Sequence, residues 1–434
     1  MKLKIILSFY IIISCIPVIP QDTLKILPEK EDSLQIRIEI LESELQKLQQ
    51  EFKMQQEEDE IKKLMEEAER LSVQPEEEKL DISKRYYSGA RQQQGLNPNI
   101  SFGADFFAGF STSDSKSLNE QGDIQYGNNG FFLREAELSL IAPLDPFTRG
   151  KGFVSASGEG LEVDEVYLEW LNLPLNMNLK AGIFRPEFGL LNRYHDHALP
   201  QFDRPKALVN LFGINGICGA GIASNIMLPS FLLSNATTFE LSALMGSSNQ
   251  IFTSETYGEF IFTGQFVNYY DLSRSSYLEF RLSGAGGRND QPEGIHNTYV
   301  TGAGITFKWA PVGREKYRTI DWKNEFLYSF QGYLDGYYKS MGFYSSIQNK
   351  LGARFWLSGR VGYSEIPYDP SQYEWDFAVC LDFWESEFVF TRFQYQYNYR
   401  EIEDRKDLAG PFPSDHSFII QVVWAMGPHK HEAY

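Results

Sequence analysis

Cysteine is scarce: the 434 residues hold three, Cys15, Cys218 and Cys380. No spacing among them matches a zinc site or a redox pair. Cys218 and Cys380 read as unpaired apolar fillers, a common role for free cysteine. Basic charge is short as well, with 40 Lys and Arg against 58 Asp and Glu and a net charge of -18. That excludes nucleic acid as a partner, because phosphate binding needs a basic face. After the first residues no apolar run approaches the roughly 18 residues of a spanning helix. No G-x-S-x-G, P-loop or Cys/His constellation occurs. Ser417 follows His416, but adjacent strand residues point to opposite faces. The chain is therefore expected not to be an enzyme, and no cofactor is implied.

The sequence is rich in aromatics, at 15%, with 33 Phe and 24 Tyr against 7 Trp. It is also divided. Residues 1–21 read as a secretory signal: Lys2 and Lys4 precede an apolar run from Ile5 to Ile13, too short to span. Ile12-Ile13-Ser14-Cys15 is similar to a lipobox, so Cys15 is a candidate for lipid attachment; cleavage near Gln21 is the alternative. Residues 22–80 are expected to form a periplasmic coiled-coil domain, its helix running over 32–72 and ended by Pro75. Leu34, Ile38, Leu41, Leu45, Leu48 and Phe52 are spaced alternately by four and three, the seam of a coiled coil. The register breaks at Gln55 and Asp59, and a short seam resumes at Ile61, Leu64, Ala68 and Leu71. Self-association, as a trimer if a trimeric pore follows, is one reading; a solvated single helix is the other. Residues 81–98 form a polar linker.

From Asn99 the period becomes two. Arg392, Gln394, Gln396 and Asn398 alternate with Phe393, Tyr395, Tyr397 and Tyr399. One face is polar throughout and the other aromatic, as expected where the inside is wet and the outside is lipid. Counting such segments gives an all-β transmembrane barrel of about sixteen antiparallel strands over 99–434. The odd-to-even connections, including 110–129, 185–214, 247–256, 287–296, 365–373 and 400–414, are expected to be the long outward loops. The alternation assigns Glu135, Glu137, Glu165, Glu169, Lys180, Arg281, Lys323, Arg354, Arg360 and Arg392 to the pore wall, with Glu279, Lys308, Asp321 and Glu325 beside them.

The connection 185–214 is long for a structureless insert, and such inserts are usually functional. Its apolar residues Leu190, Leu191, Leu199, Phe202, Leu208, Val209, Leu211 and Phe212 would have no purpose in a solvated tip. The loop is therefore expected to fold inward, to stay irregular, and to narrow a water-filled pore. Arg185, Glu187, Arg193, His195, Asp196, His197, Asp203, Arg204 and Lys206 are its candidate constriction residues, opposite charges setting up a transverse field. His195-Asp196-His197 and His429-Lys430-His431 are H-x-H pairs. Imidazole suits zinc, copper or nickel, yet each pair alone offers two ligands, and polar surface is the other reading.

Phe131 to Leu138, Val166 to Trp170 with Leu173-Pro174, and Ala181-Gly182-Ile183-Phe184-Arg185-Pro186-Glu187-Phe188-Gly189 resemble segments of the phosphate-selective porin O/P-like group. The resemblance implies a sixteen-strand homotrimeric outer-membrane porin, often preceded by a periplasmic coiled coil, that passes ions or small polar solutes passively. Outer-membrane lipid, two further copies of the chain and small anions or polar solutes are the partners it implies. The basic channel of the phosphate-selective members is not matched, since the expected wall carries both signs. An envelope protein whose barrel anchors a partner-binding coiled coil is the alternative.

Overall fold

The computed structural model of the protein describes residues 98–112, 130–157, 160–245, 250–253, 260–290, 294–401 and 414–427. The leader, the coiled-coil segment, the linker up to residue 97, Cys15, His429 and His431 lie outside the described residues. Within them the chain forms sixteen strands: β1 Asn99–Ser111, β2 Gly130–Pro143, β3 Thr148–Ser157, β4 Gly160–Leu173, β5 Met177–Phe184, β6 Gly219–Leu228, β7 Ala236–Met245 and β8 Ile261–Ser273. These continue as β9 Ser276–Asn289, β10 His296–Trp309, β11 Ile320–Tyr333, β12 Gly336–Lys350, β13 Phe355–Ile366, β14 Asp369–Trp384, β15 Val389–Glu401 and β16 Ser414–Met426. Each pairs antiparallel with its neighbours in sequence, and β1 pairs with β16 from Phe102↔Met426 to Ser111↔Ser417, so the sheet closes. Closure leaves no edge, so the strands' N–H and C=O groups pair around the whole sheet apart from local bulges, as hydrocarbon surroundings require.

The period-two pattern explains which face is which. In β15, Arg392, Gln394, Gln396 and Asn398 are buried, while Phe393 and Tyr395 are exposed. In β11, Lys323, Glu325, Ser329 and Gln331 are buried, and Trp322 and Phe326 are exposed. The barrel thus largely inverts a water-soluble core: polar groups line much of the inside, with an apolar patch where the inserted segment packs, and Phe, Leu, Ile and Val form the outer surface. That arrangement suits lipid outside and polar surroundings within.

One end of the barrel carries mostly tight turns, such as residues 174–176, 274–275, 351–354 and 385–388. The other end carries the long connections between β1 and β2, β5 and β6, β7 and β8, and β15 and β16. Two expectations need correction. The connection expected over 365–373 shrinks to two residues, because Glu365 pairs with Tyr373 and Ile366 with Asp369 and both strands run on. Arg354 is not on the wall: β13 starts at Phe355, and Arg354 sits exposed in the preceding turn, where its carbonyl accepts from Trp384 N at 2.8 Å.

Of the irregularities in the ladder, two lie close together, on β1–β2 and β3–β4. Between β1 and β2, Asp105 faces Glu135 but Phe106 faces Leu133, so Arg134 is the extra residue. Between β3 and β4, Phe153 faces Glu165 but Val154 faces Val163, so Asp164 is the extra residue. A bulge re-aims side chains that strict alternation would send outward. Both bulges adjoin the site described next.

Candidate functional site

The segment between β5 and β6, residues 185–218, folds into the barrel and meets inward-facing side chains on most of its circumference. It is not wholly irregular, as the sequence suggested. Lys206–Phe212 form a short helix, α1, buried on all but one residue. Pro205 stands at its N-cap, and Gly213, at φ 78°, ends it with its N–H on Val209 O at 2.8 Å. A non-glycine residue is strained in that left-handed region.

The path of the segment can be followed from its hydrogen bonds. At its start Arg185 N donates to Glu165 Oε1 on β4 at 2.5 Å, and the Arg185 guanidinium donates to Asn215 O, joining the two feet. Glu187 N reaches Glu240 on β7 at 2.8 Å. Gly189 N donates to Ser283 Oγ on β9 at 2.9 Å, and Gly189 O accepts from Gln265 Nε2 on β8 at 2.9 Å. Gly189 has φ 60°, and a Cβ there would lie 2.1 Å from Glu325 Oε1 on β11, so only glycine fits. The chain then returns across the lumen. Asn192 Nδ2 donates to Pro186 O and Ile217 O at 3.0 and 3.1 Å, and its Oδ1 accepts from Ile217 N at 2.8 Å. Arg204 donates to the carbonyls of Ile214, Leu191 and Tyr194 at 2.8, 2.7 and 2.5 Å. These two side chains hold the segment's own backbone, which a loop inside a barrel cannot leave unpaired.

The segment's two flanks use different chemistry. Towards β6–β12, Phe188, Leu190, Leu191, Leu208, Leu211, Phe212 and Ile217 join Leu244, Ile261, Ala285, Val300, Leu327 and Tyr344 in one apolar cluster. Gly342 on β12 admits α1, since a Cβ there would lie 2.9 Å from the Ala207 Cβ. Towards β1–β4 and β13–β15 ionic contacts predominate, beside a small apolar cluster of Phe202 with Phe107 and Ile419. Arg134 pairs with Asp196 at 3.0 Å and donates to Phe202 O at 2.7 Å. Arg360 on β13, itself fully shielded, holds Asp203 with Nη2 at 2.9 and 3.0 Å and Asp376 with Nε at 2.6 Å. Gln396 Nε2 adds a bond to Asp203 Oδ2 at 3.0 Å. Burial works against the Asp203 carboxylate, but Arg360, Lys206 and the hydrogen bonds outweigh it and hold its pKa below the usual value.

His195 and His197 both turn towards β2. His195 Nδ1 lies 2.8 Å from Glu137 Oε2, and its Nε2 lies 3.2 Å from Glu165 Oε2. His197 Nδ1 lies 2.9 Å from Glu135 Oε1. Burial disfavours the charged imidazole, but hydrogen bonds to Glu137 and Glu165 prevail, and the pKa of His195 is raised to about 10.

Beneath the segment, on the short-turn side, is a cavity of about 500 Å³. Of the expected constriction residues, Glu187, Arg193 and His197 line it; of the expected wall residues, Arg281, Lys323 and Arg392 do. Tyr194, Tyr277, Trp356 and Trp384 supply aromatic surface. Arg185, His195, Asp196, Asp203, Arg204 and Lys206 instead serve contacts within the segment or between it and the wall. The opposite charges of this stretch meet directly, as Arg193 with Glu187 and Arg204 with Asp196, rather than facing one another across water. Glu169 pairs with Arg149 and Lys151, and Lys180 lies 5.1 Å from the ring of Tyr167.

The wall residues expected from the sequence omit Asp105, Arg134, Asp164, Glu240 and Asp376, all inward; regular alternation places Glu240 and Asp376 there, whereas Arg134 and Asp164 depend on bulges. A signal was present for two of them: Arg134-Glu135 and Asp164-Glu165 are adjacent charges inside alternating strands, a pattern that a bulge resolves.

No protein-family model matches the chain. A protein of Aquifex aeolicus (strain VF5), described as uncharacterized, is 26% identical over 422 residues, covering 82% of this chain and 85% of that protein. Among solved structures, the outer membrane channel DcaP of Acinetobacter baumannii superposes with a TM-score of 0.51 at 12% identity, over 76% of this chain and 98% of its own. The anion-selective porin from Comamonas acidovorans gives 0.52 at 8% identity, over 76% and 100%. OprB of Pseudomonas putida gives 0.51 at 8% identity, over 77% and 95%. The chain has the fold of these outer-membrane porins.

Proposed function

We propose that the protein is an outer-membrane porin that passes ions or small polar solutes by passive diffusion, its lumen narrowed by the 185–214 loop. The observation that carries this reading is the inverted barrel: a closed sheet with a largely polar inner face and an apolar outer one. Sixteen strands are enough to enclose an aqueous channel. The inward loop favours a small aperture rather than a wide one.

Phosphate preference is not part of the proposal. Arg281, Lys323, Arg360 and Arg392 each have a carboxylate partner within 3.7 Å, namely Glu187, Asp321, Asp203 and Asp382. A lumen neutralised pair by pair attracts neither sign strongly. Trimer formation through the barrel and residues 22–80, and placement of that helix in the periplasm, belong to the same proposal.

Planar-bilayer recording of the purified, folded protein tests it. Stepwise conductance with a small reversal potential under a salt gradient is expected, and a folded protein without steps overturns the reading. A barrel that merely anchors a periplasmic partner is the second reading, favoured by how completely the loop is tied to the wall. Deleting residues 27–80 separates the two: a porin keeps its conductance, whereas an anchor loses its partner.

A further inference from the structure

We propose that Glu137, Asp164 and His195 form a binding site for a divalent transition-metal ion, with Zn2+ as its probe. The three come from β2, β4 and the inserted segment, and a ligand atom from each lies within 4.8 Å of the other two. Glu137 and His195 are buried, and Asp164 is half-buried. Ligands bound at about 2.0–2.2 Å from one ion stand roughly 3–3.5 Å apart. The His195 Nδ1 to Glu137 Oε2 separation of 2.8 Å therefore needs to open only slightly.

Three observations converge on the site. First, the wall is built irregularly there. Asp164 is the extra residue of the β3–β4 bulge, and the bulge brings Asp164 and Glu165 to the inner face together. Strict alternation would send Asp164 outward. Second, Asp164 Oδ2 is buried and has no hydrogen-bond partner, a costly state that an ion would relieve. Third, the outer shell is in place. Glu165 Oε2 lies 3.2 Å from His195 Nε2, so when Nδ1 binds a metal, Nε2–H donates to Glu165. A carboxylate behind a ligating imidazole fixes its tautomer and orientation.

Local charge has the right sign. Glu135, Glu137, Asp164 and Glu165 crowd about two imidazoles, while Arg134 is engaged with Asp105 and Asp196. One nitrogen and two carboxylates, with water completing the shell, suit Zn2+, Mn2+ or Co2+ rather than a thiol-seeking ion. Binding exchanges the proton on Nδ1 for the metal: one Zn2+ enters, one H+ leaves, and no redox partner is involved. The ion would fasten the segment to β2 and β4, whether or not the barrel conducts.

The test is equilibrium dialysis of the full chain, stripped with chelator in detergent, against Zn2+. The background should carry His429→Ala and His431→Ala, which removes the other H-x-H pair. One saturable equivalent per chain is expected, and Co2+ should give a ligand-field absorption that Zn2+ abolishes. His195→Gln should abolish this binding, Asp164→Asn should weaken it at least about tenfold, and Glu165→Gln should weaken it by about 10–100-fold. His416→Gln, outside the cluster, should leave it unchanged. Folding of each variant is followed by the heat-induced shift of the barrel on electrophoresis. If His195→Gln does not fold, Asp164→Asn decides. No saturable Zn2+ in the folded chain, or binding indifferent to both substitutions, overturns the proposal.

Discussion

The two flanks of the inserted segment contrast in how they hold the same stretch of chain. Towards β6–β12 the contact is apolar, with Leu190, Leu211 and Phe212 against Leu244, Ile261 and Leu327. Towards β1–β4 and β13–β15 buried charge predominates, with Arg360 between Asp203 and Asp376 and Arg134 on Asp196, beside the smaller apolar contact of Phe202 with Phe107. Apolar burial is non-directional and forgiving of small shifts. A buried ion pair is directional, costs much of its own attraction in desolvation, and fails badly when one partner is removed. The apolar flank therefore sets where the segment lies, and the charged flank makes its position sensitive to single atoms and to acid.

Substitution separates the flanks. Arg360→Met leaves Asp203 and Asp376 buried and uncompensated, and should cost about 3–5 kcal/mol, read by denaturant unfolding in detergent with proteolysis reporting loop release. On the apolar flank, Leu211→Ala should cost about 2–5 kcal/mol in the same assay, and keep the native loop's response to acid. An equal response of the two variants to acid would dissolve the contrast. Gly342→Ala, which presses on Ala207 of α1, should cost about 1–3 kcal/mol as overpacking. Arg149→Ala, which breaks the partly exposed pair with Glu169 on the wall, should cost less than about 1 kcal/mol and leave proteolysis of the loop unchanged.

Acid sharpens the same comparison. The folded pKa of Asp203 lies below its ordinary value of 3.8. Its contribution is then fully present above that value and is lost as pH falls through the depressed one. Proteolytic cleavage within 185–218 should accelerate below about pH 4 in the native chain. It should be fast already at neutral pH in Arg360→Met.

Much of this fold is legible in the sequence, because the same alternation both builds a strand and assigns its faces. Arg392 to Tyr399 shows the inner and outer surfaces at a glance, and all sixteen strands follow from such stretches. The inward course of 185–214 also follows, from apolar residues that a solvated tip has no use for. What alternation cannot show is where it fails. Arg134 and Asp164 point inward only because a bulge adds a residue on one side of the ladder. Nor can it show which charges meet: Asp203 and Arg360 are 157 positions apart, and nothing local links them. Arg354 was assigned inward by extending a strand three residues past its true start.

If the 185–214 loop sets the aperture of a diffusion pore, removing it must widen the pore. The direct measurement is single-channel conductance of the native chain beside a variant in which residues 187–216 are replaced by a short Gly-Ser linker. Small steps are expected from the native chain and several-fold larger steps from the variant. Equal steps from both, or no steps from either folded protein, would contradict that role of the loop.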